Sequence, residues 1–342
     1  MGGKSEKRWG ILEEKWRFYQ PISWFPSSEF LVEMLIFVHI YLLAAWLAVR
    51  EAFFDRHDMI KEIKFELFSS RLWTQKTKKK RKMLVIGADG TIGKAIVSLL
   101  RQYSSFECHV VVHHLNSSEH DYQNDERMHV YEVDLIDKEQ ILLLADRLKS
   151  LEFDVAIFAA GIMLHAEERT RDGVEMHNAV NVVGQVMLYE LLQNEIHRAV
   201  FLSSATARMA CYPLTHDFLS AYAGPYQAYA SSKLNLAVYV HEMVRERHVS
   251  AVCLHPGTVP GRLYRLANPL VRHLNATWLP LLMRTPEMAA ALVLHTVFRD
   301  DLTPGAYYED REPVAITAWL AEHEKLRIYS GIRRRIEMWM EQ

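Results

Sequence analysis

From Met83 onward the chain alternates short apolar runs with longer amphipathic stretches. A run of about 4–8 apolar residues bounded by turn residues is typical of a buried strand, and an apolar period near 3.6 is typical of a helix. The runs cover residues 83–87, 107–112, 128–133, 153–158, 199–203, 250–255 and 305–308. They predict a doubly wound α/β domain over residues 83–342, with a seven-stranded, mainly parallel sheet between two layers of helices and a C-terminal helix.

Residues 30–49 follow a different pattern, because Glu33 and His39 are the only strongly polar residues in the stretch. About twenty apolar residues of helix span the hydrocarbon core of a bilayer. The stretch therefore predicts a membrane-inserted helix, with an interfacial helix or a helix packed on the main domain as alternatives. We assign residues 1–82 to an N-terminal extension that ends in a basic linker, residues 76–82.

Charge divides the chain at the same place. Of 342 residues, 40 are Lys or Arg and 42 are Asp or Glu, yet the extension is basic and the main domain acidic. An acidic domain gives no reason to expect a nucleic-acid partner. The linker KTKKKRK fits a solvated connection, contact with anionic lipid head groups, or a nuclear address. With 50% apolar residues and three cysteines, the composition excludes a disordered chain and a disulfide scaffold, and it favours free thiols in a reducing compartment.

Membrane orientation has two opposing signals. Basic residues just after the apolar stretch place the main domain on the cytosolic side of a membrane. Triplets at Asn116 and Asn275 match glycosylation acceptors and favour the lumenal side. We expect a cytosolic domain, and the orientation stays open at this point.

A glycine motif joins the first predicted strand to the first predicted helix. Gly87, Gly90 and Gly93 lie in MLVIGADGTIG, so the turn ends at a helix N-terminus. Glycines allow a tight turn and a close backbone approach, and the free N–H groups of the helix attract a pyrophosphate. The motif predicts nucleotide binding.

Tyr229 and Lys233 stand four residues apart and therefore share one face of a helix. An unperturbed tyrosine has a pKa of about 10, too high for a base at neutral pH. A neighbouring cation favours the phenolate and brings proton transfer into range. Together with the glycine motif, this pair predicts acid–base catalysis beside a bound nucleotide.

With these motifs in order, the chain resembles the short-chain dehydrogenase/reductase family over residues 83 to about 312. Within that family it resembles the retinol dehydrogenase-like branch, and in particular its X-linked dehydrogenase/reductase subgroup, which acts on polyisoprenoid and related lipids at membranes. The matching segments are AGIM (160–163), TRDGVEMH (170–177), SSAT (203–206), YASSKLNL (229–236), HPGTV (255–259), TPE (285–287) and PGAYYED (304–310).

The resemblance implies a Rossmann-type fold and a role for each matching residue. Tyr229 is the general acid/base, Lys233 lowers its pKa and holds the nicotinamide ribose, and Ser204 polarises the substrate oxygen. Asn181 holds the water that connects Lys233 to solvent. Asp134 meets the adenine, and Pro256 and Gly257 shape the nicotinamide end. The implied cofactor-binding residues, besides Tyr229 and Lys233, are Gly87, Asp89, Gly90, Thr91, Ile92, Gly93, His114, Asp134, Leu135, Ala160, Gly161, Pro256, Gly257 and Val259.

The cofactor is expected to be NAD or NADP without strong preference. His114 and Leu115 end the second strand, and neither an acidic residue nor an arginine stands there to read the ribose 2′ position. No metal site is expected, since Cys108 and the histidines along this strand lack a compact tetrahedral spacing.

We expect an oxidoreductase that interconverts a lipophilic alcohol and its aldehyde or ketone, retinoid-, polyprenol- or steroid-like. The implied setting is a membrane, that of the endoplasmic reticulum, and homodimer formation stays open. The alternative is a catalytically weak, membrane-tethered nucleotide-binding scaffold. It is favoured by departures from the family pattern, where Phe158 and Ala159 replace an Asn pair and Gly261 replaces a Thr that holds the carboxamide.

Overall fold

The structure is a computed structural model that describes residues 38, 42, 45, 46, 49–51, 80–115, 125–210, 217–267 and 269–341. The chain divides into two units, residues 1–46 and 47–342, and the fold described below is that of the second unit. A domain boundary at residue 82 stays a prediction. Most of the basic linker, residues 76–79, lies outside the described residues.

One sheet of eight strands forms the centre of the unit, in the order β3-β2-β1-β4-β5-β6-β7-β8. All neighbouring pairs are parallel except β7–β8. The strands are β1 Lys82–Ile86, β2 Glu107–Val112, β3 Met128–Glu132, β4 Val155–Phe158, β5 Ala199–Leu202, β6 Ala251–His255, β7 Tyr307–Glu309 and β8 Glu312–Val314. The prediction of a Rossmann-type, mainly parallel sheet is confirmed.

The expected number of seven strands is wrong by one. β8 returns antiparallel to β7 through a turn in which Asp310 and Arg311 have φ values of 48° and 80°. This strand has only three residues, includes Pro313 and is mostly exposed. A short edge strand with proline carries no apolar run, so the hydrophobic pattern could not reveal it.

Helices cover both faces of the sheet. Within the described residues they are α1 Thr91–Tyr103, α2 Lys138–Leu148, α3 Gln185–Leu192, α4 Pro225–Arg247, α5 Pro269–Thr277, α6 Leu279–Leu282, α7 Pro286–Phe298 and α8 Glu322–Glu341. Buried residues of α1 and α7 pack on one face, and those of α2, α3, α4 and α8 pack on the other. A π-helical stretch, Ala179–Gly184, leads directly into α3.

No helix within the described ranges is both long and apolar enough to cross a bilayer. Apart from residues 38, 42, 45, 46 and 49, the predicted membrane segment 30–49 lies outside the described residues. The membrane helix therefore stays a prediction.

Gly184, at the end of the π-helical stretch, sits directly against the loop after β3. A Cβ added there would lie 2.1 Å from the main-chain oxygen of Leu135. Only glycine allows this approach, because real Cβ atoms do not come so close to a carbonyl oxygen. The contact fixes the distance between α3 and the carboxyl end of β3.

Gly184→Ala is therefore expected to lower the free energy of unfolding by about 1–3 kcal/mol, the usual cost of forcing extra volume into a packed site. Gly331→Ala in α8 is the matched control. Its added Cβ meets only the side chain of Phe218, at 2.7 Å, and a ring can move. Urea denaturation of both variants tests the difference, and equal losses in the two variants would contradict this account.

Candidate active site

The glycine motif forms a tight turn between β1 and α1. Gly87 has a φ of 80°, and its N–H donates to the carbonyl of Val111 at 2.9 Å. A Cβ added at Gly87 would lie 2.5 Å from the backbone of Ala160, and one added at Gly93 would lie 2.1 Å from the oxygen of Gly87. The turn thus depends on glycine at both positions and brings the loop after β4 against the loop after β1.

The N-terminus of α1 is open to an anion. Gly90 precedes the helix, no side chain caps it, and its first turn contains no acidic residue. The N–H groups of a first helical turn have no intrahelical partner and attract phosphate. Arg262 adds positive charge beside them, donating through Nη1 to the carbonyl of Asp89 at 3.0 Å and through its backbone N–H to Thr91 Oγ1 at 3.1 Å. These residues fit the pyrophosphate of a dinucleotide.

The residues predicted for the adenosine end meet at the carboxyl ends of β2 and β3. Asp89 Oδ1 accepts a hydrogen bond from the backbone N–H of His113 at 3.4 Å. His113 Nε2 lies 3.6 Å from Asp134 Oδ2, and Asp134 Oδ1 accepts from the backbone N–H of Ile136 at 3.1 Å. His114 is exposed, and its Nδ1 lies 3.6 Å from Glu132. The sequence did not indicate that the Glu132 carboxylate lies beside His114, the residue predicted near the ribose.

Tyr229, Ser204 and Lys233 come together where α4 crosses the end of β5. Tyr229 forms a side-chain hydrogen bond with Ser204, which also accepts from Thr206 Oγ1 at 2.9 Å. The neighbouring Ser203 instead donates to the carbonyl of Lys233 at 2.8 Å and is buried. Ser203 and Ser204 thus differ in their partners, and the assignment of Ser204 to the substrate oxygen stays a prediction.

Lys233 is held by main-chain groups. Its Nζ donates to the carbonyl of Leu202 at 2.9 Å, and it lies 5.8 Å from the centre of the Tyr229 ring. A Cβ added at Gly161 would lie 3.3 Å from this Nζ and 3.4 Å from Asn181 Oδ1. Gly161 thus leaves room for a lysine and an amide that a larger residue would displace.

Asn181 lies in the π-helical stretch, and such irregular turns frequently mark functional sites. Its Oδ1 accepts from the N–H of Ile162 at 2.8 Å, and its Nδ2 donates to the carbonyl of Ile162 at 3.1 Å and to Ser232 Oγ at 2.9 Å. Asn181 therefore ties the loop after β4 to α4 beside Lys233.

Burial dominates the electrostatics of the catalytic pair. It raises the pKa of Tyr229 to about 12, against the opposing effect of the hydrogen bond with Ser204. It lowers the pKa of Lys233 to about 8. The phenol therefore keeps its proton in the protein alone.

A buried Glu–His pair behind Tyr229 was missed by the sequence argument. His177 Nδ1 lies 2.6 Å from Glu175 Oε1, its Nε2 accepts from the N–H of His165 at 3.2 Å, and its ring contacts the Tyr229 ring edge-on. Glu175 and His177 belong to the segment TRDGVEMH (170–177), which resembles the retinol dehydrogenase-like branch but by itself indicates no contact with Tyr229.

The loop after β6 carries Pro256, Gly257 and Val259, the residues predicted at the nicotinamide end. Gly257 has a φ of 98°, and an added Cβ would lie 2.3 Å from Cδ of Arg284. Arg284 is buried and pairs with Asp310. Its guanidinium thus packs over the loop from the side of β7.

Glu51 approaches the same loop from the residues that follow the apolar stretch. Its two carboxylate oxygens accept the backbone N–H of Thr258 at 2.9 and 3.1 Å, and His255 Nε2 lies 3.5 Å away. The adjacent Arg50 pairs with Asp310. Nothing in the sequence indicated this contact, because 207 residues separate the partners.

The structure thus combines a Rossmann-type fold with a glycine turn suited to a dinucleotide and a buried cluster of Tyr229, Lys233 and Ser204. Residues 83–280 match the model described as the NAD dependent epimerase/dehydratase family. Polyprenol dehydrogenase of Homo sapiens is 29% identical over 199 residues, covering 53% of this chain and 59% of that protein. Retinol dehydrogenase 12 of Mus musculus is 29% identical over 199 residues, covering 53% of this chain and 60% of that protein. A short chain dehydrogenase family protein from Francisella tularensis has a similar fold, with a TM-score of 0.52 and 20% identity over 67% of this chain and 96% of its own.

The protein belongs to the NAD dependent epimerase/dehydratase family, since that match covers more than half of the chain. The resemblance to short-chain dehydrogenases of the retinol dehydrogenase-like branch is confirmed by the relatives. The expected nicotinamide cofactor is confirmed by the family, while the choice between NAD and NADP stays a prediction. The matches span about three fifths of the length of these two relatives.

The Glu51 contact predicts a pH dependence of stability. Burial raises the pKa of Glu51, but the hydrogen bond and charge of His255, the charge of Arg284 and the Thr258 N–H together hold it below 4.5. A carboxyl whose folded pKa is lowered stabilises the fold above its unfolded pKa, and that stability is lost as pH falls through the folded value. Glu51→Gln is therefore expected to cost about 1.5 kcal/mol at pH 7 and progressively less below pH 4.5.

Thermal unfolding at pH 7 and at pH 4, with the exposed Glu126→Gln as control, measures this difference. A loss of stability in Glu51→Gln that is the same at both pH values would show that the charge of Glu51 does not contribute.

Proposed function

We propose that the protein is a membrane-associated NAD(P)-dependent oxidoreductase that interconverts a lipophilic alcohol and its aldehyde or ketone. The observation that carries this proposal is the buried cluster of Tyr229, Lys233 and Ser204 beside the glycine turn. The names of two relatives, polyprenol dehydrogenase and retinol dehydrogenase 12, support a retinoid-, polyprenol- or steroid-like substrate.

The glycine turn and the N-terminus of α1 would hold a nicotinamide dinucleotide, which would supply the hydride chemistry of the reaction in either direction. In oxidation, Tyr229 as phenolate takes the proton of the substrate hydroxyl while Ser204 donates a hydrogen bond to the same oxygen. In reduction the neutral phenol returns the proton to that oxygen. Because burial keeps Tyr229 protonated in the protein alone, reduction starts from the resting protonation state, whereas oxidation first requires loss of the phenol proton.

Lys233 assists that loss through its charge. An ammonium near a phenol favours the phenolate, and the carbonyl of Leu202 keeps the Lys233 Nζ from turning away. We assign Asn181 the task of holding the turn at Gly161 and Ile162 beside the ammonium, in addition to the water contact implied by the family resemblance.

The segment after the nicotinamide loop supports a lipophilic substrate or a membrane surface. Leu270, Trp278 and Leu281 are 66%, 64% and 74% exposed on α5, α6 and the turn between them, so these apolar side chains are available to form a lid over an apolar ligand. Asn275 of α5 clamps Gly261, accepting its N–H at 3.1 Å and donating to its carbonyl at 3.3 Å. We infer that this segment covers a greasy substrate and contacts lipid.

Asn275 also bears on orientation. Its side-chain amide is engaged with Gly261 in both directions, and a glycan would replace one of the two protons on the Nδ2 that makes this contact, which disfavours glycosylation at Asn275. This supports a main domain on the cytosolic side of the endoplasmic reticulum membrane.

Tyr229→Phe is expected to reduce turnover of a lipid aldehyde by about 10²–10⁴-fold, because it removes the proton donor, with cofactor affinity retained. Tyr103→Phe, at an exposed end of α1, is the control and should keep wild-type turnover. Single-turnover kinetics on a panel of retinoid, polyprenoid and steroid carbonyls provides the measurement.

Turnover of Tyr229→Phe within about tenfold of wild type would refute the mechanism. A wild-type protein that binds NADH or NADPH yet reduces none of the panel would favour the scaffold alternative.

The double variant Trp278→Ser/Leu281→Ser is expected to raise KM for a long-chain polyprenal by about tenfold or more. The bound chain would cover these two exposed side chains, and burial of one apolar side chain contributes about 1.5–3 kcal/mol. The value of kcat should stay within a few-fold of the wild-type value, because neither Trp278 nor Leu281 belongs to the proposed cluster of Tyr229, Lys233 and Ser204. Trp319→Ser, which removes an exposed tryptophan elsewhere, is the control. An unchanged KM in the double variant would remove the lid from the proposed function.

A further inference from the structure

Three potential metal ligands converge at the amino ends of β2 and β3. Glu107 and His109 are two residues apart on β2 and therefore project from the same face of the sheet. The strand register places His129 of β3 directly beside His109. One ligand atom from each residue lies within 4.8 Å of the other two.

The spacing of these atoms approaches that of a tetrahedral metal centre on two of its three edges. Glu107 Oε1 lies 3.3 Å from His109 Nε2 and 3.2 Å from His129 Nε2. Metal–ligand bonds of about 2.0–2.1 Å at tetrahedral angles place neighbouring ligand atoms about 3.3 Å apart. The His109 and His129 rings are stacked, with centroids 4.5 Å apart and 20° between their planes. Binding of an ion between the three atoms therefore requires the partly exposed His129 ring to rotate, so that its Nε2 faces the ion.

The surroundings of His109 favour the form of the ring that a metal requires. Tyr131 lies two residues beyond His129 on β3, with its hydroxyl 3.0 Å from His109 Nδ1. In the tautomer whose Nδ1–H donates a hydrogen bond to this hydroxyl, Nε2 carries the lone pair and is free to bind a metal. This is the usual arrangement of a histidine ligand and its outer partner.

We propose that Glu107, His109 and His129 bind a divalent transition metal ion of the zinc class, with water at the fourth position. Two imidazoles and one carboxylate form a donor set typical of zinc, whereas Mg²⁺ and Ca²⁺ prefer oxygen ligands alone. His129 is 42% exposed and leaves a path from solvent, while His109 is buried at 3%.

This site is separate from the nucleotide site. Glu107 begins β2, and the predicted cofactor-binding residue His114 follows its opposite end, roughly 20 Å away at about 3.3 Å per residue. Because β3 is the outermost strand of the sheet, a bound ion would fasten that edge strand to β2. The expected consequence is greater stability rather than a change in the reaction.

The competing explanation uses the same contacts without a metal. A Glu107 carboxylate shared by two imidazoles, one of them protonated, also produces distances near 3.2 Å. Only metal binding separates the two explanations, and the variants can be chosen so that hydrogen bonding is retained while ligation is lost.

The test uses the full chain in detergent, with any affinity tag removed, after EDTA treatment and dialysis. Zn²⁺ is titrated in competition with a chromophoric chelator, and Co²⁺ serves as a spectroscopic probe of tetrahedral geometry. We expect one tight equivalent in the wild type and in His197→Ala, which removes an exposed histidine elsewhere. We expect the site to be lost in His129→Ala and in Glu107→Gln, which can still accept a hydrogen bond.

Tyr131→Phe should bind about 10–100-fold more weakly, the usual effect of removing an outer partner of a ligand histidine. Zn²⁺ should raise the unfolding midpoint of the wild type and of His197→Ala but not that of His129→Ala. Circular dichroism of each variant establishes that it is folded. The proposal is overturned if the wild type does not bind one equivalent of Zn²⁺. It is also overturned if folded His129→Ala and Glu107→Gln bind Zn²⁺ as tightly as the wild type.

Discussion

The buried ammonium of Lys233 is the constraint on which the rest of the site depends. Removing a charge from water is costly, and the lowering of its pKa to about 8 by burial reflects that cost. Its hydrogen bond to Leu202 fixes the end of β5, and the space it needs requires glycine at position 161. A parallel sheet allows these contacts because the carboxyl ends of its strands lie side by side. The strand order reverses between β1 and β4, and this is the usual place for a ligand in such a sheet.

The sequence predicted what depends on local pattern. The apolar runs gave seven of the strands, and the spacing of Tyr229 and Lys233 placed both on one helix, α4. It could not predict contacts that depend on register or on distant partners. His109 and His129 meet only because β2 and β3 pair in one particular register, and Glu51 reaches Thr258 across most of the chain. β8 was missed because its residues pack little apolar surface.

Two departures from the family pattern have a physical counterpart in the structure. Phe158 stands where the family has a hydrogen-bonding residue, and its ring stacks on Phe201 at 4.3 Å while Tyr189 meets it edge-on. Aromatic packing between β4, β5 and α3 thus connects neighbouring strands in place of a side-chain hydrogen bond. Gly261 lies so close to Thr91 that a Cβ would be 2.3 Å from its hydroxyl oxygen, so a Thr at this position would require the loop to move outward.

The residues that follow the apolar stretch take part in the catalytic unit. Arg50 and Arg284 share the carboxylate of Asp310, and Glu51 holds the N–H of Thr258. Because Arg284 also packs against Gly257, both contacts lead from residues 50 and 51 to the loop predicted to meet the nicotinamide. If residues 30–49 anchor the chain in a membrane, the anchor ends one residue before this connection. The loop predicted to meet the nicotinamide is therefore tied, through Glu51 and through Asp310 and Arg284, to the residues that directly follow the apolar stretch.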